Sequence, residues 1–267
     1  MFILYFSGMS EVPVSKRARE SGARDDALSG YTTAEAKAAL VPKSEDAKTT
    51  GQRVIVVLEK APLELVQQKN KTVELVNCDD HKTALLKAGK DFSKYRPDIT
   101  HQCLMALLDS PLNKAGKMLI YIHTENHVLI EVSPMLRVPR TFKRFCGLMV
   151  ELLQKQKIRA AGSNDVLMKV IANPIQKYLP VGGLKVGLSV GGRLIGAREW
   201  VAELPKTADD IPVTVVIGAV SHDDPVKELK YGADYVEECL SISNFSLSAA
   251  CCCSKLCEAF EARWGVL

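Results

Sequence analysis

Four cations, Arg137, Arg140, Lys143 and Arg144, fall within ten residues that contain no acid. A run of this kind suits phosphates, because solvated helix faces usually mix the two signs of charge. The plain alternative is an ordinary solvated face. Upstream, Arg96-Pro97-Asp98 sets a guanidinium and a carboxylate on either side of a proline. Proline holds the residue before it extended, so the tripeptide reads as a rigid elbow. The carboxylate could then hold one edge of the guanidinium and leave the other edge free for a base or a phosphate. Capping of a helix by Asp98 is the competing explanation. A third group is the set of small-residue loops after three C-terminal β-rich runs: Leu188-Ser189, Gly218-Ala219, and Leu240 through Phe245. In open α/β sheets, ligands gather at the carboxyl ends of strands. Small residues let a flat ligand reach the backbone, although tight turns alone would leave the same trace.

Several other chemistries find no footing. There is no G-x-x-x-x-G-K-[ST] phosphate loop and no G-x-S-x-G elbow, and the glycines at 182, 183, 187, 191 and 192 do not fit G-x-G-x-x-G. His101 and Cys103, two apart on a helix, face different ways and make a poor nucleophile pair. Cys78 and His81 lack a matching pair at zinc spacing, so no metal is expected, and capping of the next helix by Asp79 and Asp80 is the simpler reading. None of the eight cysteines forms a C-x-x-C pair. They read as reduced, small, buried side chains of an intracellular protein.

The elements that must position these groups follow from periodicity. Pro139 is suited to the first turn of a helix, which would put Arg140 and Arg144 on one face and Phe142, Phe145, Leu148, Met149, Leu152 and Leu153 on an apolar stripe. A second helix is expected through 166–171. Arg53–Leu58 reads as a strand buried on both faces. Thr72–Asn77, Met118–His123, Val128–Val132, Lys185–Val190, Val213–Ile217 and Tyr235–Leu240 read as further strands, the second and third of these six joined as a hairpin. Helices are expected at Ala84–Lys87, Cys103–Leu108, Arg198–Leu204 and, capped by a serine, Ser248–Trp264. Alternating strands and helices give an α/β class with a mainly parallel sheet. The chain is 267 residues with a net charge of +4, so any positive field must be local. No run is long enough for a membrane span. Residues 1–50 read as a disordered extension. Within it, Met1–Phe6 is too short for a signal core, Met9 is an alternative start, and Lys16-Arg17-Ala18-Arg19 is either an import patch or a solvated tail. Residues 51–267 form the expected domain.

Three stretches closely resemble the eukaryotic ribosome-biogenesis pseudouridine N1-methyltransferases of the SPOUT superfamily, the nucleolar essential protein family. They are Arg96-Pro97-Asp98-Ile99-Thr100-His101-Gln102-Cys103, Leu108-Asp109-Ser110-Pro111-Leu112-Asn113-Lys114-Ala115-Gly116-Lys117, and Arg137 through Phe145. Asn77-Cys78-Asp79-Asp80-His81 and Ser243-Asn244-Phe245-Ser246-Leu247-Ser248-Ala249 extend the likeness, which covers about residue 52 to the end. The resemblance implies a trefoil knot within roughly 180–267, helices on both faces of the sheet, a homodimer, and bent S-adenosylmethionine among the knot loops. It implies methyl transfer to N1 of a pseudouridine in small-subunit rRNA, work alongside pre-ribosomal assembly factors, and a place in the nucleus and nucleolus, with the cytoplasm as a second location. By position, Arg96, Arg137, Arg140 and Arg144 match the RNA-contacting residues. Asp98 matches the residue that steadies Arg96 near the target base. Leu188, Ser189, Gly218, Asp223, Leu240, Ser241, Ile242, Ser243, Asn244 and Phe245 match the cofactor loops.

On this reading, the arginines converge on one flipped nucleotide that faces the methyl donor. Carboxylates are weak bases for the N1 proton, so Asp98 is expected chiefly to orient Arg96. Two departures stand out. Asp223, within Ser221-His222-Asp223-Asp224, occupies a position where relatives commonly have a cofactor-contacting glycine, and Ser241 stands where a glycine is usual. They leave open an alternative, a non-catalytic rRNA-binding assembly factor with a weakened cofactor site.

Overall fold

A computed structural model of the chain describes residues 41–42, 44–68, 72–228 and 235–267. Most of the tail expected to be disordered, with Met9 and the basic patch, lies outside the described residues. The range extends too far at its C-terminal end. Glu45–Lys48 (α1) is a helical turn capped by Ser44, and its Lys48 is buried with Nζ 2.8 Å from Glu131.

Among the described residues, eight strands form one sheet in the order β10-β8-β9-β1-β4-β5-β7-β6. At its centre is β1 (Val54–Ala61), paired in parallel with β4 (Met118–Thr124) on one side and β9 (Val213–Gly218) on the other. The apolar run of β1 alternates between two cores. Val54, Val56 and Leu58 pack with the buried faces of α3 (Pro97–Asp109) and α8 (Ala249–Trp264), while Ile55 and Val57 pack with Tyr121, Val216 and Val226. Helices on both faces thus explain why β1 has no polar side until Glu59. β8 (Lys185–Leu194) and β10 (Glu238–Ser241) continue the parallel half, and β10 lies outside β8 although β9 intervenes in sequence. The other half is antiparallel: β4 pairs with β5 (Leu129–Val132), β5 with β7 (Val166–Ile171), and β7 with β6 (Lys157–Arg159).

Several expectations need correction. Residues 166–171 are strand β7, not helix, because Leu129 to Val132 of β5 offers a paired edge to Met168 through Ile171. Short apolar runs are decided by such tertiary partners. Val73–Leu75 (β3) is shorter than expected and leaves the main sheet to pair with Leu65–Gln67 (β2), a strand the sequence did not reveal. The basic helix opens at Phe142 rather than Pro139 (α5, Phe142–Lys155, with Thr141 at its N-cap), so Arg140 precedes it and shares no helical face with Arg144. The aspartates do not cap α2 (Lys82–Lys87). Instead Asn77 Oδ1 accepts the N–H groups of Asp79 and Asp80, at 3.0 and 2.8 Å. Ser248 does cap α8, accepting from Cys251 N at 3.2 Å. Cys103, Cys239, Cys253 and Cys257 are buried as expected, whereas Cys78, Cys146, Cys251 and Cys252 are only half-buried.

Candidate functional site

β8 and β10 pair at both of their ends but not between. Cys239 opposes Gly187, yet the next residue, Leu240, opposes Arg193. Residues 188–192 therefore leave the pairing with β10, although Leu188 still pairs with Ile217 of β9. Where the pairing resumes, a Cβ on Gly192 would lie 2.6 Å from the carbonyl of Cys239, so only glycine lets the two backbones meet. Leu188 and Ser189, within this stretch, line a cavity of about 470 Å³.

That cavity gathers most of the sequence-predicted cofactor residues: Leu188, Ser189, Gly218, Asp223, Leu240, Ser241, Ile242, Ser243 and Phe245 all line it. Asn244 does not line it and is exposed. Gly218 ends β9, and a Cβ there would press Pro225 at 2.9 Å, the residue that opens α7 (Pro225–Glu228). Ser241 Oγ donates to Ser243 O at 2.9 Å, and Ser243 Oγ accepts from Phe245 N at 3.0 Å, which folds the loop back on itself.

The two departures have distinct physical readings. Asp223 has φ +70°, a left-handed conformation that glycine adopts without cost and aspartate tolerates better than most residues. Its carboxylate lies 3.0 Å from Lys94 Nζ. Ser241 is not in that region, and its hydroxyl is taken up by Ser243.

Arg96 lines the same cavity. It precedes α3, whose first residue is Pro97, and Asp98 sits in the first turn without capping it. Arg96 Nε and Nη2 instead donate to Asp98 Oδ1 and Oδ2, at 2.8 and 2.7 Å. This fork raises the Arg96 pKa and fixes the plane of the guanidinium. Asp98 itself does not line the cavity. Ile99 and Gln102 do, and sequence reasoning missed them. Ile99 and Gln102 are three apart within α3 and so share a helical face.

The remaining arginines stand elsewhere. Arg137, Arg140 and Arg144 are exposed and outside the cavity lining. Arg140 pairs with Asp109 at the far end of α3, its Nη2 at 3.2 Å from Oδ1 and its Nη1 bonded to Oδ2. At 1.5 Å per residue, Asp98 and Asp109 are separated by about 16 Å of helix. The expected convergence of all four arginines on one nucleotide is therefore not what the single chain builds. His101 fastens the basic segment to α3, its Nε2 2.7 Å from Pro139 O and its ring stacked on Phe145 at 4.7 Å. Arg140 thus lies at the C-terminal end of α3 and Arg96 at its start, beside the cavity. Among the described residues, no group of three His, Cys, Asp or Glu side chains is placed to hold a metal ion. No described helix is long and apolar enough to cross a membrane.

Comparison with known proteins agrees with this geometry. The chain is 51% identical over 220 residues to the human protein named ribosomal RNA small subunit methyltransferase NEP1, covering 82% of this chain and 85% of that one. It is 44% identical over 238 residues to the Candida albicans protein of the same name, covering 86% of each. In structure it resembles Archaeoglobus fulgidus Nep1 bound to S-adenosylhomocysteine, with TM-score 0.66 and 26% identity over 80% of this chain and 99% of that one. Residues 56–261 match the family described as EMG1/NEP1 methyltransferase, and the chain belongs to that family.

Proposed function

We propose that the chain transfers a methyl group from S-adenosylmethionine to N1 of a pseudouridine in small-subunit, 18S-type rRNA, and that it acts in assembly of that subunit. The observation that carries this reading is one cavity lined both by the loops of β8, β9 and β10 and by Arg96. Its volume, about 470 Å³, falls in the range of small-molecule sites. Leu188, Ile217, Leu240 and Ile242 offer apolar contact for a purine, while Ser243 and Ser246 bring hydroxyls to the same lining for a ribose and an amino-acid tail. These residues fit S-adenosylmethionine, whose sulfonium, when bound, supplies an electrophilic methyl group.

The chain's own part is positioning. Arg96, held by Asp98, grips the target nucleotide beside the cavity. The cost of flipping a base, a few kcal/mol, is offset by arginine contacts to phosphates and to the flipped base. Arg137, Arg140 and Arg144, all exposed, hold the flanking backbone. Asp98 keeps the guanidinium in plane, so the rate gain comes from orientation. The non-catalytic alternative is disfavoured, because the family and the similar human and Candida albicans proteins are named as methyltransferases.

The same reading carries a homodimer, a trefoil knot in residues 180–267, pre-ribosomal assembly factors as partners, and a nuclear and nucleolar location. The return of β10 to the outer side of β8, after β9, supports the knot. Calorimetric titration with S-adenosylhomocysteine tests the cofactor half: a saturable heat is expected, and none at millimolar ligand would overturn it. Mass spectrometry of 18S-type rRNA from cells lacking the protein tests the substrate half, with loss of one methylated pseudouridine expected.

A further inference from the structure

Residues 221–224 form a partition with space on both sides. One side is the cofactor cavity; the other is a second cavity of about 360 Å³ that shares Val220, Ser221, His222, Asp223 and Pro225 and is also lined by Lys94 and Tyr95. The partition is tied at both edges. On the cofactor side, Ser189 Oγ is hydrogen-bonded to Asp224 Oδ2. On the other, Ser221 Oγ donates to Ser93 O at 2.7 Å, and Asp223 Oδ2 accepts from Lys94 Nζ at 3.0 Å. Ser93 and Lys94 belong to the 3-10 turn Phe92–Lys94, two residues before Arg96. Arg96 N in turn donates to Lys94 O at 3.0 Å, and Tyr95 O accepts from Cys78 N at 2.8 Å. A continuous set of contacts thus runs from the cofactor loop to the backbone of the arginine that faces the nucleotide.

We propose that Ser221 and Asp223 are positioning residues that couple occupancy of the cofactor cavity to the grip of Arg96 on RNA. The inference rests on the function proposed above. A ligand against Gly218 and Ser221 fixes the partition, the partition fixes the turn at 92–94, and Arg96 is then already ordered when RNA arrives. Whichever ligand binds first bears the ordering cost, so the second binds more tightly, and the effect is reciprocal. Asp223 suits this role because its left-handed backbone turns the carboxylate toward Lys94, a contact that a glycine cannot make.

The test is the affinity of the full chain for a short RNA hairpin carrying one pseudouridine, measured by fluorescence anisotropy without and with saturating S-adenosylhomocysteine. The ratio of the two dissociation constants reads the coupling. A lost contact to RNA alters both constants alike and leaves the ratio unmoved. Wild type should bind RNA about fivefold more tightly with the cofactor product present, or more. Ser221→Ala, Lys94→Met and Asp223→Asn should each lower that ratio by about two- to threefold, the scale of an exposed contact. Asp223→Asn keeps a residue that tolerates positive φ. Lys94→Met/Asp223→Asn should fall no further than either single change. A wild-type ratio of one, or a ratio unmoved in all variants, overturns the coupling while leaving the methyltransferase reading intact. A chain that binds no S-adenosylhomocysteine at all overturns both.

Discussion

Arg96 and Asp98 meet through two parallel hydrogen bonds of 2.8 and 2.7 Å across a single proline. Pro97 opens the helix between them, so Arg96 lines the cofactor cavity while Asp98, in the first turn of α3, holds it from outside the lining. Arg96→Ala should weaken RNA binding by about ten- to hundredfold, the loss of one or two charge-assisted contacts. Arg96→Lys should recover little, since an ammonium has no planar fork. Asp98→Ala should lower kcat with little change in S-adenosylmethionine affinity. Anisotropy and single-turnover methyl transfer check these three variants.

The pairing of Arg140 with Asp109 separates charge from stability. Both side chains are largely exposed, at 68% and 48%, so Asp109→Asn should cost less than about 1 kcal/mol of folding stability. The same change releases the guanidinium and should leave RNA affinity equal or higher. Arg140→Ala should weaken binding to any RNA sequence and reduce the slope of log affinity against log salt by about one. A salt titration of both variants distinguishes these outcomes.

Two glycines of β8 are fixed by approach rather than by φ. A Cβ on Gly187 would lie 2.0 Å from Val226 Cγ1, and one on Gly192 would lie 2.6 Å from the backbone of Cys239. A side chain such as Val226 can rotate, whereas the crossing backbone cannot. Gly192→Ala should therefore destabilise more than Gly187→Ala, by about 3 kcal/mol against about 1–2 kcal/mol. Thermal melts of the two variants order them.

Much of this was legible in the chain itself, for physical reasons that differ by segment. β1 was readable because a strand covered on both faces must be apolar throughout, and Val54–Leu58 is. The hairpin of β4 and β5 was readable because Thr124-Glu125-Asn126 supplies the turn. β7 was misread because Val166–Ile171 suits helix or strand alike, and its identity is set by a partner, β5, lying more than thirty residues earlier. Pro139 was misread because it satisfies a first-turn preference, yet its carbonyl is held by His101 and the helix waits for Phe142. Within the site, the loop residues declared themselves by type. The separation of Arg96 from Arg140 did not, since it depends on where Asp109 anchors the second arginine.

Glu59, 2% exposed in β1, holds His123, whose titration makes stability pH-dependent. Its carboxylate takes His123 Nδ1 at 2.6 Å and the Tyr235 hydroxyl at 3.2 Å, while its backbone carbonyl accepts Ala219 N–H beneath the cofactor loop. The hydrogen bond to Glu59 raises the His123 pKa above its ordinary value. Folding then favours the protonated imidazole. That contribution is whole below about pH 6.5, the ordinary imidazole value, and fades as pH rises through the higher value in the fold. Melting temperature should decline from pH 6 to pH 9 by this term, and Glu59→Gln should flatten the decline. Differential scanning calorimetry across that range reads the slope.

Incubation of the full chain with isotope-labelled S-adenosylmethionine and an RNA hairpin bearing a single pseudouridine, followed by nucleoside mass spectrometry, tests the assigned chemistry most directly. Labelled N1-methylpseudouridine should form with the wild type and be lost with Arg96→Ala. Binding of both ligands without any labelled nucleoside would contradict the assignment.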